Sequence, residues 1–150
     1  KLMWLIRVRP DINFAVQELS RHMDNPTEDD IHSAKHVLRY LRGALEYALE
    51  IAPKTTPTED PELVTYVDSD WAGCRMTRKS TSGGVLQLYG CAVQFYSRTQ
   101  GPIATSAGEA ELYAIGTGVA EGLGIANFLV ELGMLKQSTI TVFTDSSSAK

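Results

Sequence analysis

The chain has 150 residues, 43% of them hydrophobic and 21% charged, with a net charge of −4. A chain of this length and composition has room for a sizeable core, as in an ordinary soluble globular protein. Its acidic balance excludes an overall basic field for nucleic acid, and no apolar run approaches the ~20 residues that span a bilayer.

The start, Lys1-Leu2-Met3-Trp4-Leu5-Ile6-Arg7, is too short and too quickly charged for a signal peptide. With no initiator Met and an ending on Ser148-Ala149-Lys150, the chain is expected to be a piece of something longer. Pro10 to Met23 reads as a helix: Pro10 suits a first-turn position, and Ile12, Val16, Leu19 and Met23 recur at helical spacing. Asn25-Pro26-Thr27 breaks it. Thr27 caps a second helix, where Glu28, Asp29 and Asp30 meet the positive end of the helix dipole. Ile31, Ala34, Val37, Leu38 and Leu41 form its apolar stripe, and Gly43 is its expected stop. His32 and His36 stand one turn apart on this helix. No acid or Cys is placed to complete a zinc site with them, so they read as a helix face.

From Ala52 to Glu62 three prolines and no large apolar residue make a linker. The expected organisation is a helical segment over 1–52, a linker over 53–62 and an α/β domain over 63–150. Splitting the chain near Pro61 does not change the sign of the charge: residues 1–61 hold 8 Lys and Arg against 10 Asp and Glu, and 62–150 hold 6 against 8. A polyanion bound here needs metal ions or basic surface supplied from elsewhere.

Leu63–Val67 reads as a strand. Gly84–Tyr89 and Ala92–Tyr96 read as a hairpin turning at Gly90-Cys91. A long helix follows from about Ser106 to Leu132, with Leu112, Ile115, Val119, Leu123, Ala126 and Leu129 inside. Its glycines Gly116, Gly118, Gly122 and Gly124 each weaken a helix by ~1 kcal/mol relative to Ala, and close packing on the sheet is their expected use. Ile140–Thr144 is another strand ending on Asp145, followed by the start of a helix. Cys74 and Cys91 have no metal-like spacing and read as reduced thiols in an intracellular, reducing compartment.

The order strand, hairpin, helix, strand gives an α/β layered domain in which the first and last strands lie parallel and adjacent. Asp68 and Asp145 then end two neighbouring strands on one sheet edge, where ligands of open α/β sheets gather. Glu109-Ala110-Glu111 on the helix brings a third carboxylate to that edge. Three acids repel one another unless a divalent cation sits among them, and all-oxygen ligation suits Mg²⁺ or Mn²⁺. Two such ions ~3.5–4 Å apart would clamp the attacking water and the leaving oxygen of a phosphodiester. Taken singly, each Asp also reads as a turn former or helix cap.

Four ordered blocks carry a resemblance: Tyr66-Val67-Asp68-Ser69-Asp70-Trp71-Ala72-Gly73, Arg78-Lys79-Ser80-Thr81-Ser82-Gly83, Ser106–Ala114 and Val142-Phe143-Thr144-Asp145-Ser146. In order and spacing they resemble the ribonuclease H domain of copia-type retrotransposon Pol polyproteins. Arg9–Val16 and His36–Gly43 resemble the C-terminal end of the reverse transcriptase region before it, near its thumb or connection. The resemblance implies a ribonuclease H-like mixed sheet with flanking helices. It further implies Mg²⁺-dependent or Mn²⁺-dependent hydrolysis, with two ions, of the RNA strand of an RNA–DNA hybrid.

Carried over by motif, the catalytic metal ligands are Asp68, Glu111 and Asp145. Asp70 and Glu109 are neighbours outside that set; residues two apart on a helix face different ways, so Glu109 and Glu111 are not both expected to reach the metals. Arg78, Lys79, Ser80 and Thr81 are expected donors to the hybrid's phosphates. Trp71 is expected to pack beside the first strand, with base stacking as the other reading. Gly108 stands where a hydroxyl residue is usual, and Thr99 where a second Lys is common. The family's fourth carboxylate would lie beyond Lys150, which makes 63–150 a domain truncated at its C-terminus.

The resemblance also implies the rest of the polyprotein as partner, no membrane, and a cytoplasmic site within a virus-like particle for an active element. Two other readings stand beside the nuclease: a non-catalytic remnant or binding module of a decayed element, and an Asp-x-Asp phosphatase. In the phosphatase Asp68 would be the nucleophile and Asp70 the acid, but nothing after Asp145 supplies its further acidic motif.

Overall fold

The computed structural model describes residues 1–53, 61–136 and 139–146, which fall into two compact units, Lys1–Glu50 and Ile51–Lys150. Most of the linker expected over 53–62, and the helix start expected at the C-terminus, lie outside the described residues.

In the first unit, α1 (Leu2–Leu5) precedes a 3-10 turn at Pro10–Ile12, α2 (Asn13–Ser20) and α3 (Glu28–Gly43). The helix expected over Pro10–Met23 is therefore split and shorter. Pro10 opens a 3-10 turn rather than an α-helix, and the chain leaves the helix at Arg21, ahead of Asn25-Pro26. Ile12, Val16 and Val37 form the buried core, with Leu2, Leu5, Ile6, Leu19 and Leu41 packed around it. Ile31 and Leu38, expected on the inner stripe of α3, are exposed, because so few helices cover only a narrow face of it. His32 and His36 lie on the exposed side of α3. Arg9 grips Asp11 with two nitrogens at 2.9 and 2.7 Å and donates to the Ala44 carbonyl at 3.0 Å, satisfying an orphan acceptor at the α3 C-terminus.

Thr27 caps α3 as its sequence suggests. The Asp30 amide donates to Thr27 Oγ1 at 3.3 Å, and Asp30 Oδ2 accepts from the Thr27 amide at 2.8 Å. The Thr27 hydroxyl donating to Asp30 Oδ2 at 2.7 Å, then the Thr27 amide bond, then His22 Nδ1 at 2.8 Å from Asp30 Oδ1, hold the Asp30 carboxyl down from 3.8 to about 2. A carboxylate lowered by folding contributes stability that is complete above its unfolded pKa and disappears as the pH falls through its folded one. The helical unit is therefore expected to lose stability between about pH 4 and pH 2. Thr27→Ala should move Asp30 back toward its ordinary value and cost about 1 kcal/mol. Circular dichroism with carbon-13 titration of Asp30 checks both. An Asp30 midpoint unmoved by the substitution would refute the cap as its cause.

The second unit is α/β. Strands β1 (Glu62–Ser69), β2 (Thr81–Leu88), β3 (Cys91–Thr99) and β4 (Thr139–Phe143) form a mixed sheet in the order β3-β2-β1-β4. β4 runs parallel to β1, and the other two pairs are antiparallel. The hairpin turns one residue earlier than expected. Tyr89 and Gly90 take positive φ angles of 52° and 76°, which suits a tight two-residue turn, and Cys91 opens β3 as a buried residue.

Helix α4 (Ala107–Glu131) packs on β1, β2 and β4. Its buried face is Ala110, Ala114, Gly118, Gly122, Ala126 and Leu129, whereas Leu112, Val119 and Leu123 are exposed. Small residues win this face because the helix sits so close to the sheet. A Cβ at Gly118 would lie 2.4 Å from Val67 Cγ1, and one at Gly122 would lie 3.0 Å from Ile140 Cγ2. A Cβ at Gly116 or Gly124 would meet nothing within 4 Å among the described residues. By length and composition alone α4 is long and apolar enough to cross a bilayer, which corrects the expectation that no run approaches that length. Here it lies along the sheet.

Candidate metal centre

β1 alternates in burial: Leu63, Thr65 and Val67 face inward, and Tyr66 and Asp68 outward. The parallel ladder pairs Tyr66 with Phe143, and their rings stack at 5.3 Å between centroids. Continued for two residues beyond the last pair of the β1–β4 ladder, the same offset sets Asp145 level with Asp68. A third carboxylate reaches them from the first turns of α4. Ser106 caps that helix by accepting from the Glu109 amide at 3.1 Å, which fixes the phase at which Glu111 leaves it.

Asp68, Glu111 and Asp145 each offer a carboxylate oxygen within 4.8 Å of the other two. Glu111 is half-buried and the two aspartates are exposed. Glu111 Oε1 accepts from Ser69 Oγ at 3.1 Å, while Oε2 is buried with no hydrogen-bond partner among the described residues. An orphaned carboxylate oxygen beside two further carboxylates is costly, and a divalent cation with all-oxygen ligation would satisfy it. The donor set therefore fits Mg²⁺ or Mn²⁺.

The neighbouring acids are committed elsewhere. Asp70 Oδ1 accepts from the Thr81 amide, and the Asp70 side chain lies where a Cβ on Gly73 would stand, so it braces the turn after β1. That placement does not suit the acid of an Asp-x-Asp phosphatase. Glu109 accepts from the Thr105 amide and hydroxyl at 2.7 and 2.6 Å and from Tyr113 OH at 3.0 Å. The Thr105 bonds are the main reason its carboxyl lies below the ordinary value.

The basic loop divides. Ser80 and Thr81 are buried: Ser80 Oγ accepts from the Ala72 amide at 2.9 Å, and the Thr81 amide is taken by Asp70. Their place is inside the loop, which leaves the exposed Arg78 and half-buried Lys79 as the residues that reach solvent. Trp71 is 54% exposed and donates from Nε1 to the Ala104 carbonyl at 3.2 Å, so it pins two loops together. Ser69 went unassigned in the sequence, although strand alternation puts it on the helix side of β1 and so within reach of Glu111.

Over 145 residues the chain is 37% identical to the retrovirus-related Pol polyprotein from transposon TNT 1-94 of Nicotiana tabacum, covering 97% of this chain and 10% of that protein. It is 31% identical over 148 residues to the retrovirus-related Pol polyprotein from transposon RE1 of Arabidopsis thaliana, covering 99% and 10%. Secreted RxLR effector protein 161 of Plasmopara viticola is 37% identical over 123 residues, covering 81% of this chain and 84% of that protein. No protein-family model and no solved structure matches. The chain thus spans about a tenth of the length of the Pol polyproteins it matches. By these identities it belongs to the sequence family that includes the retrovirus-related Pol polyproteins of plant transposons.

Proposed function

We propose that the α/β unit is a ribonuclease H-like module of a retrotransposon polyprotein, hydrolysing the RNA strand of RNA–DNA hybrids with two Mg²⁺ or Mn²⁺ ions. The observation that carries this reading is the meeting of Asp68, Glu111 and Asp145, from two strand ends and a helix, within 4.8 Å. When bound, such ions supply Lewis-acid stabilisation of the charge that develops on a phosphodiester during hydrolysis. The chain's own part is to hold the three carboxylates together, with Ser69 orienting Glu111. Arg78 and Lys79 take the hybrid's phosphates from the loop after β1. In an acidic chain this contact is sparse, so the ions and the rest of the polyprotein supply most of the affinity. The helical unit is read as the end of the reverse transcriptase region, and the module works in the cytoplasm inside a virus-like particle.

Incubated with Mg²⁺ and a hybrid labelled on its RNA strand, the protein is expected to cut the RNA and leave the DNA intact. Binding of the hybrid without cutting would replace this reading with a non-catalytic binding module.

A further inference from the structure

Gln100 follows the last residue of β3 and is 7% exposed. Its backbone amide donates to the Ser80 carbonyl at 2.8 Å. Its side-chain Nε2 donates to Ser82 Oγ at 2.9 Å and to the Ala110 carbonyl at 2.8 Å. A carbonyl only accepts, so the amide nitrogen and not its oxygen must face Ala110. One side chain thus joins the beginning of β2 to the first turn of α4. Packing does not account for it. Gln100 Oε1 is buried with no hydrogen-bond partner among the described residues, a costly placement that an apolar side chain of similar volume would avoid.

Both bonds end beside the acid cluster. Ala110 immediately precedes Glu111, and Ser82 is the register partner of Ser69, whose hydroxyl donates to Glu111 at 3.1 Å. The path from Ser69 to Ser82, Gln100, Ala110, Glu111 and back to Ser69 is closed. It fixes the spacing of α4 from β1 at the point where Glu111 meets Asp68.

We propose that Gln100 is a positioning residue that holds the Glu111 carboxylate against Asp68 through Ser82 and Ala110. This rests on the reading of the acids as a divalent-cation site, and it assigns the affinity of that site partly to a residue that never touches the ion. Residues behind metal ligands typically alter affinity about 10–100-fold.

The test uses the 150-residue chain with Gln100→Met, which keeps the volume and removes both donors, and Ser82→Ala, which removes one anchor. Mn²⁺ affinity is read by calorimetry. In metal-free protein, nuclear Overhauser contacts between the Ser69 and Glu111 side chains are read as well. Gln100→Met is expected to weaken Mn²⁺ binding about tenfold or more and to erase those contacts, with Ser82→Ala moving both in the same direction by less. A merely structural role lowers the melting temperature but leaves the Kd of the folded protein and the Ser69–Glu111 contacts unchanged, and that result overturns the proposal. Wild-type protein with no Mn²⁺ binding that Asp68→Asn removes would refute the cation site, while the metal-free contacts still decide the role of Gln100.

Discussion

Asp68→Asn is expected to reduce cleavage of the hybrid's RNA strand about a thousandfold, equivalent to about 4 kcal/mol of barrier. Asn keeps the size of the side chain and keeps Oδ1 as acceptor for the Ser69 amide, now at 2.9 Å, so the end of β1 is preserved. What it removes is one negative charge from three that lie within 4.8 Å of one another. The substitution should therefore raise the melting temperature of metal-free protein, since like charges brought together by folding oppose it. In Mn²⁺ the order reverses: the wild type gains stability from an ion that binds only the folded state, and the variant gains little. Lost activity with raised metal-free stability separates a removed ligand from a damaged fold. Cleavage at the wild-type rate by Asp68→Asn would eliminate the nuclease reading. Equal thermal shifts with Mn²⁺ in the two proteins would eliminate the site.

Gly118→Ala is the second large effect, and here the sign is informative. In an exposed helix interior Ala is favoured over Gly by about 1 kcal/mol. At position 118 the added methyl would lie 2.4 Å from Val67 Cγ1 and 3.2 Å from Thr65 Cγ2. Val67 is buried and β-branched, so it has few alternative rotamers to retreat into. Overpacking of this kind costs about 1–3 kcal/mol, enough to exceed the helical gain. Gly116→Ala and Gly124→Ala, where the space is open, should stabilise by up to about 1 kcal/mol. Val67 is the residue before Asp68, and Gly118 lies two turns along α4 from Glu111. Prying helix from strand therefore also parts the carboxylates, and Mn²⁺ affinity should fall with stability in Gly118→Ala alone. Denaturant melts of the three variants decide it, and a stabilised Gly118→Ala would contradict the close approach.

Much of the local structure was legible in the residues. Thr27 and Ser106 announce their helices because a hydroxyl at an N-cap answers an orphan amide within three residues. The alternation in Leu63–Val67 and the run Ile140–Thr144 mark strands, and Asp68 and Asp145 at their ends mark one edge of the sheet once the two are taken as parallel neighbours. Local rules also failed in identifiable ways. They read Leu112, Val119 and Leu123 as interior, because hydropathy ranks Leu above Gly. The buried face instead carries Ala110, Ala114, Gly118 and Gly122. Ser80 and Thr81, expected beside the resemblance as phosphate donors, are buried where the loop enters β2.

By itself the sequence determined the cast and its order: a helical half ahead of an α/β alternation, acids at two strand ends and on one helix, and a family likeness covering nearly the whole chain. These follow from interactions between residues close in sequence, which periodicity and capping record directly. Only the tertiary structure decided how close Asp68, Glu111 and Asp145 come to one another, and which side chains behind them, Ser69 and Gln100, stand against Glu111 and its helix. Strand register, helix-to-sheet distance and long-range hydrogen bonds connect residues tens of positions apart, and no local pattern encodes the separation of two carboxylates.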